Sequence, residues 1–345
     1  MFGKLLTISR NTFTESIRQP VYMVLLMLFA LLFVFGTQMA AYTLDDDNVM
    51  LRDMLLSMLL GAGVMLSAFT ATRVLTDELE QRTVLTVVSK PVPRPVFVAG
   101  KFLGVAAALV LAMWILSIVM LLMVRHEVMQ TASDQFDGPV LLLGFGGTLL
   151  ALAIATLGNY FYKWIFTASF VRAWAITLTL GFAVVLMIDK QWRFQSPTTD
   201  IDGQLLIAML LCIEGVLIFC AAAIAASTRL KLVMTLVLMF GLFFLSVWAG
   251  PVGRSIDQKL AVPEGRGLLY VLGTDAGVDV KAMYLFSEVM QSIVPNLQYL
   301  WAADAMTQGH EIPLYHVGLL SLYSLLFVVA LVSLAVVLFQ TREVG

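Results

Sequence analysis

The chain has 345 residues, of which 60% are hydrophobic and only 13% are charged. A soluble domain is typically about 25% charged, and a single soluble core cannot bury so much apolar surface, so a bilayer must solvate this chain. The net charge of −2 excludes a broadly basic nucleic-acid-binding protein.

Residues 1–19 predict a helix that lies in the membrane interface. Lys4, Arg10 and Arg18 fall away from a largely apolar helical face. That face is formed by Phe2, Leu5, Leu6, Phe13 and Ile17. The alternative is a frayed tail. Pro20 then marks the turn into the first membrane span.

The rest of the chain predicts an all-α, polytopic transmembrane bundle, because a spanning helix needs about 20 mostly apolar residues. Eight stretches meet this requirement: 20–42, 53–75, 101–124, 139–161, 169–188, 205–226, 231–250 and 314–339. Six or seven spans would follow if part of 139–188, which contains Lys163 and Arg172, is re-entrant. The bundle proper is 20–250, and 314–345 holds the last span and a short tail.

The distribution of lysine and arginine predicts that both termini are cytoplasmic. Thirteen basic residues then lie inside: Lys4, Arg10, Arg18, Arg73, Arg82, Lys90, Arg94, Lys101, Lys163, Arg172, Arg229, Lys231 and Arg342. The short outer loops hold four: Arg52, Arg125, Lys190 and Arg193. Segment 251–313 is then extracytoplasmic, with a short amphipathic helix near 279–293.

Stripes of small residues at helical spacing indicate close helix packing, within the chain or between two copies. One stripe contains Gly100, Gly104, Ala108 and Ala112. A second stripe contains Gly147, Ala151 and Ala155. Neither stripe indicates a substrate.

No catalytic, cofactor or metal site is predicted. The sequence lacks a G-x-x-x-x-G-K-[ST] phosphate loop, so the chain does not hydrolyse ATP in the usual P-loop way. Cys212 and Cys220 lie in one apolar run and predict packing residues. Glu214 is the one ionisable residue deep in a predicted span. Two roles are open to Glu214. It could contact substrate or take part in gating, or it could be a protonated or hydrogen-bonded structural group.

The stretch 76–98 joins two predicted spans on the cytoplasmic side. Its first part can form a short charged helix, and Pro91, Pro93 and Pro95 then end any helix and stiffen the turn. Such an element can carry force from a soluble partner into the bundle. The alternative is a solvated loop with ordinary anchoring charges.

This stretch resembles the cytoplasmic loop of permeases in the type-two family of ATP-binding-cassette exporters. The shared features are the acids Glu78 and Glu80, Thr83, the run Ser89 to Arg94, and the pair Gly100-Lys101 that opens the next span. The C-terminal part is similar to the same family at Pro295-Asn296, Asp304-Ala305, Gly309, Ile312-Pro313, Phe339 and Arg342-Glu343.

The resemblance implies a permease subunit of an ABC exporter in a bacterial-type cytoplasmic (inner) membrane. Two bundles, as a homodimer or heterodimer, would each dock one soluble ATPase that holds the ATP and magnesium. It implies ATPase contacts at Glu78, Glu80, Arg82, Thr83, Pro91 and Arg94. The alternatives are a stand-alone secondary transporter or channel, and a non-transporting membrane scaffold.

The orientation is testable with two single cysteines in a background that lacks Cys212 and Cys220. A membrane-impermeant thiol reagent applied to intact cells is expected to label Thr274→Cys and not Ser89→Cys, because only position 274 is predicted to face outward. Labelling of both in broken cells controls for reactivity. Labelling of position 89 in intact cells would overturn the orientation.

Overall fold

The computed structural model describes residues 2–40, 47–80, 93–129, 135–259, 271, 273, 277–303 and 310–340, without the side chains of 40, 75–80, 249–259, 280, 287 and 291. Over these residues the chain forms eleven helices, and an isolated bridge between Ile188 and Phe194 is their only β-structure. The helices are α1 Phe2–Arg18, α2 Pro20–Ala40, α3 Asp47–Glu80, α4 Arg94–His126, α5 Gly138–Tyr162, α6 Phe166–Leu186, α7 Gly203–Ser227, α8 Leu232–Lys259, α9 Val278–Ile293, α10 Leu297–Leu300 and α11 Leu314–Gln340.

The prediction of an all-α polytopic bundle is confirmed. Among the described residues, seven helices are long and apolar enough to cross a membrane, namely α2 to α7 and α11. The predicted span 231–250 falls in α8, which is apolar over Leu232–Trp248, the part whose side chains the structure describes. The segment 139–188 forms two complete helices, α5 and α6, and each is long and apolar enough to cross a membrane.

Proline positions explain where two helix boundaries differ from the prediction. Pro95 does not end a helix. It lies in the first turn of α4, where its missing N–H has no intrahelical partner to lose. The helix α8 continues through Pro251 to Lys259, so the segment 251–313 begins inside a helix. Packed neighbours can compensate for the one backbone hydrogen bond that such a proline removes.

The helix α4 is the centre of the bundle and contacts α1, α2, α3, α5, α6, α7 and α11. Its stripe of small residues packs within the chain. A Cβ atom on Gly104 would lie 2.5 Å from the Thr12 Cβ and 2.6 Å from the Ser9 carbonyl oxygen, both in α1. One turn earlier, a Cβ atom on Gly100 would lie 2.7 Å from Ile8 Cγ2. These glycines therefore allow α1 to lie directly on the α4 backbone.

The face of α1 that contacts α4 differs from the predicted apolar face. The small polar residues Thr12 and Ser16 are buried, whereas Phe2 and Leu6 are exposed. Thr12 packs on Gly104 and Ile8 packs on Gly100, and Ile17 of the predicted apolar face is also buried. The exposed Phe2 and Leu6 stay available for the predicted membrane interface.

The segment after α9 enters the bundle. The predicted helix near 279–293 is confirmed as α9, which packs on α8. The next short helix, α10, places Leu297 and Leu300 within 3.6 Å of a Cβ atom built on Gly215. Gly215 is twelve residues into α7, about 18 Å from its start. The part of 251–313 that forms α10 therefore lies against the middle of a spanning helix.

The contact between α1 and α4 is testable with alanine. Gly104→Ala is expected to lower stability by about 1–3 kcal/mol, because its methyl group meets the α1 backbone. Gly146→Ala is the matched control, because nothing lies within 4 Å of its Cβ position. It should be neutral or slightly stabilising. The unfolding midpoint of each variant is measured by heating it with a thiol-reactive dye, which reacts when the buried Cys212 and Cys220 become exposed. Equal midpoints for the two variants would contradict the close contact.

Candidate functional site

The end of the bundle where α3 finishes and α4 begins is called here the α3–α4 end. At this end Lys101 in α4 is buried, and its Nζ lies 3.5 Å from Glu15 Oε2 in α1. The same Nζ lies 5.9 Å from the centre of the Phe97 ring. Beyond this pair, the Tyr22 hydroxyl of α2 donates a 2.6 Å hydrogen bond to the Ala108 carbonyl. An ion pair and a hydrogen bond thus join α1 and α2 to the first half of α4.

The last helix is joined to the first turn of α4. Arg94 Nη1 donates a 2.6 Å hydrogen bond to the Gln340 carbonyl, in the final turn of α11. One turn further along α4, the Phe97 ring stacks on Phe339 with 5.5 Å between centroids. A cation at a helix C-terminus also interacts favourably with the helix dipole. The start of α4 therefore holds both α1 and α11.

The predicted ATPase-contact residues are only partly described. The backbone at Glu78 and Glu80 forms the last turn of α3, but their side chains lie outside the description. Arg82, Thr83 and Pro91 lie outside the described residues. Arg94 is exposed and bonded to α11, and its contact with an ATPase stays a prediction.

The sequence reasoning missed the partners at this end. Lys101 opens an apolar span, and a lysine there needs an anion or a route to water. Glu15 is the single acid in α1, so the pairing had a signal in the sequence. The bond from Arg94 to Gln340 had none, because a backbone carbonyl at a helix end carries no residue-specific signal.

Glu214 lies between α7 and α11. Its Oε1 accepts a 2.6 Å hydrogen bond from the Ser321 hydroxyl, while its Oε2 is buried without a hydrogen-bond partner in the described chain. The neighbouring Ser324 hydroxyl is buried and lacks a partner there too. Close by, the Tyr323 hydroxyl accepts a 2.8 Å hydrogen bond from the Asn296 backbone N–H, which holds the start of α10. Glu214 therefore lies where α7, α10 and α11 meet.

The opposite end of the bundle, the α4–α5 end, is held by a buried arginine. Arg125 Nε lies 3.1 Å from Asp137 Oδ2 and its Nη1 lies 2.9 Å from Asp200 Oδ2. The guanidinium also donates to the carbonyls of Val185 and Ile188. One side chain thus joins the end of α4 to the start of α5, the end of α6 and the loop before α7.

Beside this clamp is a cavity of about 390 Å³ that is lined by both charged and apolar residues. The pair Arg52–Asp202, at 3.3 Å, belongs to its lining. Glu127 and Lys190, 2.6 Å apart, form a second pair. Each of these four charged residues already has a partner of opposite sign. The two pairs are therefore suited to holding the helix ends in place.

Comparison with protein families assigns the α1–α5 region. The family model described as "ABC-2 family transporter protein" matches residues 6–158. Over these residues the chain is similar to ABC-2 family transporter proteins. The match covers the α1–α4 contact, Arg94, Lys101 and the α3–α4 connection, so the resemblance to type-two permeases is confirmed. No curated protein matches the chain. The seven apolar helices support a multi-pass membrane protein, and the family that the chain resembles forms the membrane component of ABC transporters.

Arg125 and Arg52 line the same cavity, but their substitution is expected to lower stability by different amounts. Arg125→Met should cost about 3–5 kcal/mol, because it leaves the fully buried Asp137 carboxylate without its cation. Arg52→Met removes an exposed pair and should cost less than about 1 kcal/mol. Thermal unfolding of the purified variants in one detergent measures both. Similar midpoint shifts would show that Arg125 is not the buried clamp.

Proposed function

We propose that this permease is the membrane-spanning subunit of an ABC exporter, driven by ATP that a separate ATPase subunit hydrolyses. The single observation that carries the proposal is the family match over residues 6–158, which includes the whole α3–α4 connection. The absence of a phosphate-loop motif from the sequence is consistent with a separate ATPase.

The described contacts suggest how force from an ATPase would enter the bundle. An ATPase bound at 76–94 would act on the end of α3 and the start of α4. Displacement of α4 would carry α1 through the contacts at Gly100 and Gly104, which leave no gap between the two helices. It would carry α11 through Arg94 and the stacked Phe97 and Phe339 rings. Close-packed interiors transmit strain in this way.

The proposed assembly contains two permease chains, as a homodimer or heterodimer, and two ATPase subunits. ATP and magnesium would bind on the ATPase subunits, and this chain would supply no cofactor site. The proposed location is a bacterial-type cytoplasmic (inner) membrane with both termini inside, which agrees with the distribution of basic residues. This orientation requires an even number of spans, so α8 would cross the membrane together with the other seven apolar helices.

Glu214 favours the alternative of a secondary transporter. One oxygen of its carboxyl group is buried without a hydrogen-bond partner among the described residues, and such groups mark ion or proton pathways in membrane proteins. Within the described helices, however, its one hydrogen-bond partner is Ser321, and no group of three or more acidic, histidine or cysteine side chains converges. A proton pathway requires further groups within reach, so the exporter is the stronger proposal.

Charge reversal at the end of α3 tests the proposal. Glu78→Lys combined with Glu80→Lys is expected to abolish co-purification of the ATPase, because the loss of a desolvated charge pair commonly costs about 2–5 kcal/mol. Membrane insertion should stay near normal. The matched control is Asp279→Lys with Glu311→Lys, which makes the same charge change at two exposed residues of the segment that is predicted to face outward. The measurement is the ATPase-to-permease ratio after affinity purification.

A second variant separates docking from transmission. Pro91→Gly should keep the ATPase bound while transport uncouples from hydrolysis, because the turn loses its fixed backbone angle. If the double reversal leaves docking and transport intact, the loop is only a solvated connector. If both double variants lose the ATPase equally, the effect is one of net charge, and the assignment of Glu78 and Glu80 is wrong.

A further inference from the structure

The α5–α6 hairpin contributes two cations to the edge of the bundle and no acid. The sequence from Gly138 to Leu186 contains Lys163 and Arg172 but no aspartate or glutamate. Neither cation forms a hydrogen bond or ion pair with any residue that the structure describes. Any anion that neutralises these two groups must therefore come from outside the hairpin.

Arg172 begins a stripe of α6 that faces away from the protein. The residues that follow it at helical spacing are exposed and apolar: Ile176, Leu180, Val184 and Met187. Such a stripe on a spanning helix is suited to lipid acyl chains. Arg172 itself is exposed and lies six residues after Phe166, the first residue of α6, which places its Cα about 9 Å from the helix start.

The direction of the Arg172 side chain brings its charge close to the membrane surface. Side chains on a helix lean toward its N-terminus, which for α6 is the turn that joins it to α5. Long arginine side chains extend in this way to the headgroup layer and keep their methylene groups in the apolar layer. The guanidinium thus approaches the level of Lys163.

The turn between α5 and α6 is rigid and aromatic. Lys163 adopts the left-handed conformation with φ 57°, and its N–H donates to the Asn159 and Gly158 carbonyls. The Asn159 side-chain amide donates a 2.6 Å hydrogen bond to the Trp164 carbonyl. The Trp164 ring lies over Gly158 and stacks on Tyr162. Exposed tyrosine and tryptophan rings next to a spanning helix are typical of the bilayer interface.

We propose that Arg172, together with Lys163, binds the phosphate group of an anionic phospholipid at this edge of the permease. The planar guanidinium can donate two parallel hydrogen bonds to phosphate oxygens, and the ammonium adds a second positive charge. The apolar stripe below provides the surface for the acyl chains. A lipid fits this site better than a protein partner, because two cations at the interface are followed by the exposed apolar stripe of α6.

The test uses the full chain purified in detergent and short-chain dioctanoyl phosphatidylglycerol, with bound lipid counted by native mass spectrometry. Arg172→Gln is expected to weaken binding about tenfold, which corresponds to the loss of a charge-assisted hydrogen-bonded pair. Arg172→Lys should keep part of the binding. The matched control is Arg193→Gln, which removes an exposed arginine from the α6–α7 loop and should change little.

Three comparisons can overturn the proposal. If Arg172→Gln and Arg193→Gln weaken binding equally, the lipid responds only to net charge. If inorganic phosphate displaces the lipid at equal concentration, the site binds a free anion. If Arg172→Gln separates permease chains or the ATPase while lipid binding is unchanged, Arg172 belongs to a protein interface. Binding of dioctanoyl phosphatidylcholine should be weaker than that of phosphatidylglycerol, because choline offsets the phosphate charge.

Discussion

The close approach of α1 to the glycine face of α4 is the contact on which the α3–α4 end of the permease depends. Lipid offers no hydrophobic driving force between helices, so their association relies on van der Waals packing and on hydrogen bonds across short distances. Gly100 and Gly104 provide that short distance. Once α1 lies there, Glu15 reaches the buried Lys101, whose charge would otherwise face apolar surroundings.

Three charged groups near the spans differ in how far their charge is paired within the chain. Arg125 is enclosed by two carboxylates and two carbonyls, so it is fixed and suited to bracing. Among the described residues Glu214 has one serine partner and one oxygen without a partner, so a change of partner is possible there. Arg172 has no acid in its own hairpin and therefore depends on its surroundings. An unpaired charge in the apolar layer is costly. A charge that is fully paired within the chain is therefore suited to holding helices together, whereas a charge without such a partner is suited to binding a ligand.

The length of an apolar run predicted a helix accurately where the run and the helix end at the same residues. The run 139–161 becomes Gly138–Tyr162, because the helix ends at a left-handed Lys163. The run 53–75 becomes Asp47–Glu80, because polar residues continue the helix beyond the apolar layer. Contacts distant in sequence escaped prediction. Arg94 and Gln340 are 246 residues apart, and Glu214 and Ser321 are 107 apart, so neither bond leaves a local pattern.

Under the proposed function, the α3–α4 end of α4 would receive the displacement from the ATPase, and the α4–α5 end would pass it to the helices that Arg125 holds. The helix has 33 residues and a length of about 50 Å, so one rigid element connects the two ends of the bundle. At the α3–α4 end it holds α1 and α11, and at the α4–α5 end Arg125 joins it to α5, α6 and the loop before α7. A displacement at the first end must therefore either move the clamped loops or break the buried ion pairs. Because breaking such a pair costs several kcal/mol, the helix ends held by Arg125 would move together with α4.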